Sequence, residues 1–142
     1  MKKKLNCVLL IDDDEPTNYL SKLQLESIDC AEHITIAQSG QQALDYLLTG
    51  VCPDGDDSFP CPDLIFLDIN MPAMNGWEFL QKYDAFDKKH QGNVVIVMLT
   101  TSLNPDDKSK AMGLASISGF ENKPITLPKL EQILLKYFPE NF

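Results

Sequence analysis

The stretch "DLIFLD", Asp63 to Asp68, places four consecutive apolar residues directly before a carboxylate. A second run, "VVIVML" at 94–99, is apolar throughout. Runs without alternating polar positions are typical of strands that are covered on both faces in a parallel sheet. Because parallel strands need crossover connections, usually helices, these two runs predict an α/β sheet with helices on both faces.

The same alternation of strands and helices extends outward from these two runs. Three more strand candidates lie at 7–11, 33–37 and, more weakly, 116–121. Amphipathic segments separate them. The predicted helices are one opened by Pro16, one capped by Ser39, one marked by Phe79 and Leu80, one over 104–114, and one marked by Leu127, Leu130 and Leu134. Right-handed crossovers then give a doubly wound, three-layer sandwich of five strands and five helices.

Composition narrows the class of function. The chain has 142 residues and a net charge of −9, and all 12 basic residues are lysines. Without arginine the chain lacks the side chain best suited to bidentate recognition of phosphate and guanine, which argues against a nucleic-acid partner. No run approaches the roughly 18 apolar residues of a membrane span, and the short apolar run after "MKKKLN" does not form a signal peptide. We therefore expect a cytoplasmic protein without a membrane partner.

One connection is unusually long. The segment "TGVCPDGDDSFPCP", 49–62, is rich in proline, glycine and aspartate and predicts a surface loop. Its acidic part does not fit a calcium-binding loop, because Phe59 and Ile65 occupy the positions of the required glycine and glutamate. Cys52 and Cys61 flank the loop, but their spacing matches no zinc pattern.

Polar side chains follow four of the predicted strands at their carboxyl ends, where ligands gather in open parallel sheets. Two carboxylates about 4 Å apart repel by roughly 4 kcal/mol at an effective dielectric constant of 20. Such a cluster must raise its pKa values or recruit a cation, and oxygen ligands favour a hard ion such as Mg²⁺. The pattern predicts metal-assisted capture of a phosphoryl group on a carboxylate. The residues are Asp12 and Asp13 after the first strand, Asp68 after the third, Thr100 after the fourth and Lys123 after the fifth, with Asp14 as a turn or cap residue.

The pieces "LLIDDDE", "LIFLDINMPAMNGWEF", "VIVMLTTS" and "ENKPI" together resemble the receiver domain of two-component response regulators over residues 5–138. The resemblance implies the flavodoxin-like fold with strand order 2-1-3-4-5. Only "PENF" follows Phe138, so we expect no output domain in this chain. The resemblance also implies a signalling protein rather than an enzyme, with at most self-phosphorylation and self-dephosphorylation at one aspartate.

By this resemblance Asp68 is the nucleophile that takes a phosphoryl group from a phosphohistidine of a sensor histidine kinase. Asp13 and Asp68 bind Mg²⁺ through their carboxylates and Asn70 through its backbone carbonyl, while Asp12 assists through water. Asn70 and Ser102 occupy positions that tune phosphate lifetime in receivers.

The resemblance also implies a switch. Thr100 hydrogen-bonds one phosphoryl oxygen, Lys123 pairs with another, and Phe120 turns inward as the threonine moves. The output surface covers the fourth helix, fifth strand and fifth helix, roughly 104–138. A histidine phosphotransfer protein, a target protein or a second copy of the chain are the candidate partners for that surface.

Two other hypotheses remain open at this point. A pseudo-receiver acts only as a binding module, although it usually lacks the acceptor aspartate, the lysine or the acid pair. A haloacid dehalogenase-type phosphatase also uses an Asp-x-Asp motif, which Asp12 and Asp14 match. Its threonine is replaced here by Pro16, and no aspartate follows Lys123.

Overall fold

A computed structural model describes residues 4–49, 62–85, 94–100, 105–113, 117–123, 125–139 and 141. Within these ranges five strands alternate with five helices. The strands are β1 (Leu5–Ile11), β2 (Ala31–Ala37), β3 (Leu64–Asp68), β4 (Val95–Thr100) and β5 (Gly119–Asn122). The helices are α1 (Glu15–Ser27), α2 (Gly40–Thr49), α3 (Gly76–Asp84), α4 (Pro105–Met112) and α5 (Leu127–Tyr137).

The strands form one parallel sheet in the order β2-β1-β3-β4-β5. Register brings the last residues of neighbouring strands together: Ile11 pairs with Leu67, and Asp68 with Leu99. Asp12 extends the contact with β2 by one residue, since its backbone N–H donates to the Ala37 carbonyl at 3.1 Å. The carboxyl ends of β1, β3, β4 and β5 therefore lie at one edge, as the order 2-1-3-4-5 predicted.

The sheet separates two apolar layers. Leu9 and Ile11 of β1 pack into one layer, and Val8 and Leu10 into the other. The first layer is completed by α2 and α3, with Ala111 of α4, and the second by α1 and α5. Burial on both faces explains why the central strands carry no polar alternation.

Helix starts follow the predicted signals. Gln42 N–H donates to the Ser39 hydroxyl at 3.1 Å, which caps α2 as predicted. Pro16 lies in the first turn of α1, where a missing N–H costs no helical hydrogen bond. The apolar residues of this segment face both ways: Leu20 is 54% exposed and Leu23 43% exposed, whereas Ile28, the C-cap residue, packs against the second apolar layer. The buried positions of α1 are Asn18 and Leu25.

Helices α3 and α4 meet at a cation–π contact. The Lys110 ammonium lies 4.5 Å from the centroid of the Trp77 ring. Trp77 is half-buried and packs against the first apolar layer.

Several sequence predictions fall outside the described residues. These are the loop interior with Cys52 and Cys61, and the positions of Thr101, Ser102 and Asn104. None of the helices in the described ranges has the length and apolar character needed to cross a bilayer.

Candidate phosphoacceptor and metal site

The carboxyl edge of the sheet holds the predicted cluster. Asp68 is the last residue of β3 and Thr100 the last of β4, while Asp12 directly follows β1. Lys123 follows β5, and its backbone N–H donates to the Thr100 carbonyl at 2.8 Å. Asp12, Asp68 and Thr100 are all buried, at 5%, 5% and 0% exposure. The polar residues that follow these four strands in the sequence therefore lie at one edge of the sheet.

The Lys123 side chain joins two strands. Its ammonium forms an ion pair with Asp68 Oδ1 at 3.0 Å and a second, shorter one with Asp12 Oδ2. The side chains of the three residues are only 7–12% exposed. The lysine that sequence analysis placed opposite the carboxylates thus contacts two of them directly.

Three carboxylates converge here. Asp12, Asp13 and Asp68 each have a carboxylate oxygen within 4.8 Å of those of the other two. Asp13, unlike the other two, is exposed to solvent. An all-oxygen set with one open side fits a hard divalent cation that keeps part of its water shell.

Burial and charge act in opposite directions on these groups. Burial raises the pKa of the Asp68 carboxyl above its usual 3.8, and although the hydrogen bond from Lys123 lowers it, the net shift is upward. Burial lowers the pKa of the Lys123 ammonium, but hydrogen bonds to Asp12 and Asp68 outweigh burial and leave that pKa raised. Lys123 therefore stays charged and provides the countercharge of the pair.

Comparison of the chain with known proteins identifies its family. Residues 8–135 match the response regulator receiver domain. The chain belongs to that family. A two component response regulator from Cytophaga hutchinsonii has a similar structure, with a TM-score of 0.83, 29% identity, and coverage of 96% of this chain and 99% of that one.

Two curated relatives are larger proteins. A probable cyclic di-GMP phosphodiesterase of Vibrio cholerae is 29% identical over 133 residues, which are 92% of this receiver domain chain and 26% of that protein. The signal transduction histidine-protein kinase BarA of Escherichia coli K12 is 28% identical over 138 residues, 97% of this chain and 14% of that kinase. The chain thus spans about a quarter or less of these relatives.

Asp14 stands apart from the carboxylate cluster of this receiver domain. Its side chain caps α1 by accepting a hydrogen bond from Thr17 N–H at 3.2 Å, and it also contacts the Thr17 hydroxyl. The cap role that sequence analysis preferred for Asp14 is confirmed. An Asp-x-Asp pair working together, as the phosphatase hypothesis requires, is not what this local structure provides.

The remaining predicted residues surround the cluster at different depths. Asn70 is exposed, and its backbone forms a hydrogen bond with the Asp68 carboxylate. Phe120 of β5 is half-buried and packs against the first apolar layer.

The "NG" of the quoted motif, Asn75 and Gly76, forms the start of α3. Asn75 and Glu78 form a reciprocal capping box at the start of α3. Gly76 lies against the end of β3: a Cβ there would be 2.7 Å from the Asp68 carbonyl oxygen and 3.0 Å from Ile69 Cα. The motif therefore fixes how closely α3 approaches the end of β3.

One buried polar residue was missed by sequence analysis. Asn18 is 3% exposed and its side-chain amide donates to the Asp12 carbonyl at 2.8 Å. The only sequence signal was a polar residue at helical spacing from Leu25 on the inner face of α1.

Proposed function

We propose that this receiver domain is a phosphoacceptor in a two-component phosphorelay, working in the cytoplasm with a sensor histidine kinase. The observation that carries the proposal is the buried ammonium of Lys123 between the Asp12 and Asp68 carboxylates, beside the open carboxylate of Asp13. An aspartate held next to a fixed cation and a metal-compatible acid pair is suited to receive a dianionic phosphoryl group.

Asp68 is the nucleophile in this proposal. One of its carboxylate oxygens attacks the phosphorus of a kinase phosphohistidine, so that a P–O bond forms as the P–N bond breaks. The imidazole nitrogen leaves with the electron pair and takes a proton from solvent. Lys123 and Thr100 hold phosphoryl oxygens, and hydrolysis of the product by water returns the free carboxylate. Beyond this self-phosphorylation and self-dephosphorylation, the domain is not an enzyme.

The acidic residues fit Mg²⁺ by their donor chemistry. Asp13 and Asp68 would hold the ion through carboxylates and Asn70 through its backbone carbonyl, with Asp12 assisting through water. When bound, the ion neutralises negative charge on the phosphoryl oxygens. Because Asp13 is exposed, ion entry needs no rearrangement of the apolar layers.

Switching is proposed to involve Thr100 and Phe120. They lie at the end of β4 and within β5, and Met98 of β4 is registered with Phe120. A phosphoryl group that draws the Thr100 hydroxyl would bias the packing of the half-buried Phe120 and with it the surface of α4, β5 and α5. That surface is the proposed site for a histidine phosphotransfer protein, a target protein or a second copy.

Phosphorylation of the purified chain tests the proposal. With Mg²⁺ and a small-molecule phosphodonor, mass spectrometry should show the addition of one phosphoryl group. Asp68→Asn should gain none, whereas Asp14→Asn, which changes a nearby capping carboxylate, should react as the wild type does. An unmodified wild type that nevertheless binds Mg²⁺ would identify a pseudo-receiver, and phosphatase activity that survives Asp68→Asn would identify a phosphatase.

Pull-down with and without phosphodonor separates the candidate partners. Capture of a histidine-bearing domain that accepts the phosphoryl group indicates relay, and phosphate-dependent capture of another protein indicates direct output. Sedimentation of both forms tests the homodimer. Transfer from the kinase encoded next to this chain would identify the phosphoryl donor.

A further inference from the structure

Asn18 is the one buried polar residue of the described chain that the proposed site has not used. The buried polar side chains in that part of the chain are Asp12, Asn18, Asp68 and Thr100. Three of them belong to the phosphoacceptor edge. The fourth lies in the first turns of α1, on the face that is covered by the second apolar layer.

Helix chemistry alone does not account for an asparagine at this position. Asn18 lies seven residues before Leu25, the other buried residue of α1, so helical periodicity favours an apolar side chain there. Asparagine is also a weaker helix former than leucine, and burying its amide is unfavourable unless the amide is hydrogen-bonded. The bond that compensates is the 2.8 Å donation from Nδ2 to the Asp12 carbonyl oxygen.

The bond from Asn18 holds Asp12, which lies beyond the last paired residue of β1. The paired registers of β1 end at Ile11 on both sides. Beyond that point the Asp12 N–H is bound to Ala37, the Asp12 carbonyl to Asn18, and Asp12 Oδ1 accepts from the Asp14 N–H at 3.0 Å. Leaving a buried carbonyl without its donor is unfavourable, so the turn would shift to recover a partner.

We propose that Asn18 is a positioning residue for the acidic pair: its amide fixes the β1–α1 turn so that Asp12 and Asp13 present their carboxylates to the metal. The inference rests on the proposed function, because it assigns a role toward the cation of that site. Residues that orient metal ligands typically change metal affinity by about 10–100-fold when they are removed. A tenfold loss is the expected effect here.

Asn18→Leu tests the role because leucine has the same branching and number of side-chain heavy atoms as asparagine and cannot donate. Mg²⁺ and Mn²⁺ affinities are measured by titration calorimetry, and thermal unfolding is followed in metal-free buffer. Asn18→Leu should bind either ion about tenfold more weakly while the metal-free chain stays folded. Tyr137→Phe is the matched control, because it removes a comparable 2.7 Å bond to the Ser118 carbonyl; Ser118 lies just before β5, far from the carboxyl edge. Its metal affinity should equal that of the wild type.

The outcomes distinguish this inference from the proposed function. Unchanged affinity in a folded Asn18→Leu variant, with or without lost stability, overturns the positioning role and leaves the phosphoacceptor proposal intact. A wild type that binds neither ion overturns both. If leucine prevents folding, NMR of the wild type decides: the Asn18 side-chain amide should exchange slowly and shift on Mg²⁺ addition. Exchange as fast as that of the exposed Gln41 amide would refute the bond.

Discussion

Replacing Gly76 by alanine tests how tightly α3 is packed against Asp68 at the end of β3. The new Cβ would lie 2.7 Å from the Asp68 carbonyl oxygen, about 0.7 Å short of the 3.4 Å at which ordinary contacts begin. Because its nearest neighbours are the backbone atoms of Asp68 and Ile69, no side-chain rotation relieves the overlap. Such overpacking costs about 1–3 kcal/mol, and the gain from replacing a helical glycine returns only about 0.5–1 kcal/mol. The middle of these two ranges leaves a net destabilisation of about 1 kcal/mol.

Gly40→Ala is the matched control because it also changes the first residue of a helix. Its Cβ would lie 2.7 Å from Met74 Sδ, which belongs to a flexible side chain that can move away. Its stability should stay within about 1 kcal/mol of the wild type.

Urea unfolding measures both variants, and phosphorylation of the folded fraction measures the effect on Asp68. Gly76→Ala should be the less stable of the two and should accept phosphate more slowly, because Asp68 must shift to admit the methyl group. If Gly76→Ala is as stable as Gly40→Ala and reacts at the wild-type rate, the close approach described for Gly76 is not a real constraint.

Three further measurements address charge and burial. Lys123→Met should lower the free energy of unfolding by about 1–3 kcal/mol near neutral pH, because two largely buried carboxylates lose their countercharge. The loss should shrink as the pH falls and Asp68, whose native pKa is raised, becomes protonated; a pH-independent loss in urea titrations would contradict the ion pairs. In ¹³C NMR titrations, the pKa of the Asp68 carboxyl should lie above its usual 3.8 in metal-free protein. The same pKa should fall once Mg²⁺ is added. Since its native pKa is raised, this group lowers the free energy of unfolding as pH increases from 3.8 through the native value, and titration below 3.8 would refute that sign. Finally, Cys7 and Cys30 are fully buried, and burial raises both pKa values, that of Cys30 to about 11. In a chain that carries Cys52→Ser and Cys61→Ser, a thiol reagent at about pH 8 should therefore react with these two cysteines only on unfolding. Rapid reaction of the native chain would refute that burial.

The fold was largely predictable because its signal is local. Continuous apolar runs exist only where both faces of a strand are covered, and β3 and β4 follow the runs at 63–67 and 94–99 to within one residue. The weaker run at 116–121 became a four-residue strand, Gly119–Asn122. Strand β5 lies at the sheet edge, where burial is partial, and partial burial leaves a weaker pattern.

The site was predictable up to the pairing of its side chains. The rule that strand ends share an edge brought Asp12, Asp68 and Lys123 together, but it does not tell which carboxylate the lysine contacts. Leu20 and Leu23 of α1 are apolar, yet both are largely exposed. Asn18 faces inward and donates a hydrogen bond to the Asp12 carbonyl. A pattern of apolar and polar residues along α1 does not show that a carbonyl outside the helix lacks a donor.

The Trp77–Lys110 contact gives this molecule an internal optical reporter. The chain contains a single tryptophan, and it directly follows Gly76, which lies against the backbone of Asp68 and Ile69. Its ring is also in contact with a cation carried by α4. Any change in the spacing of α3 and α4 alters the electric field on one indole, so its emission reports that movement without a label. Stopped-flow fluorescence of the unmodified chain can therefore time any movement of α4 relative to α3 that follows the proposed phosphorylation at the carboxyl edge.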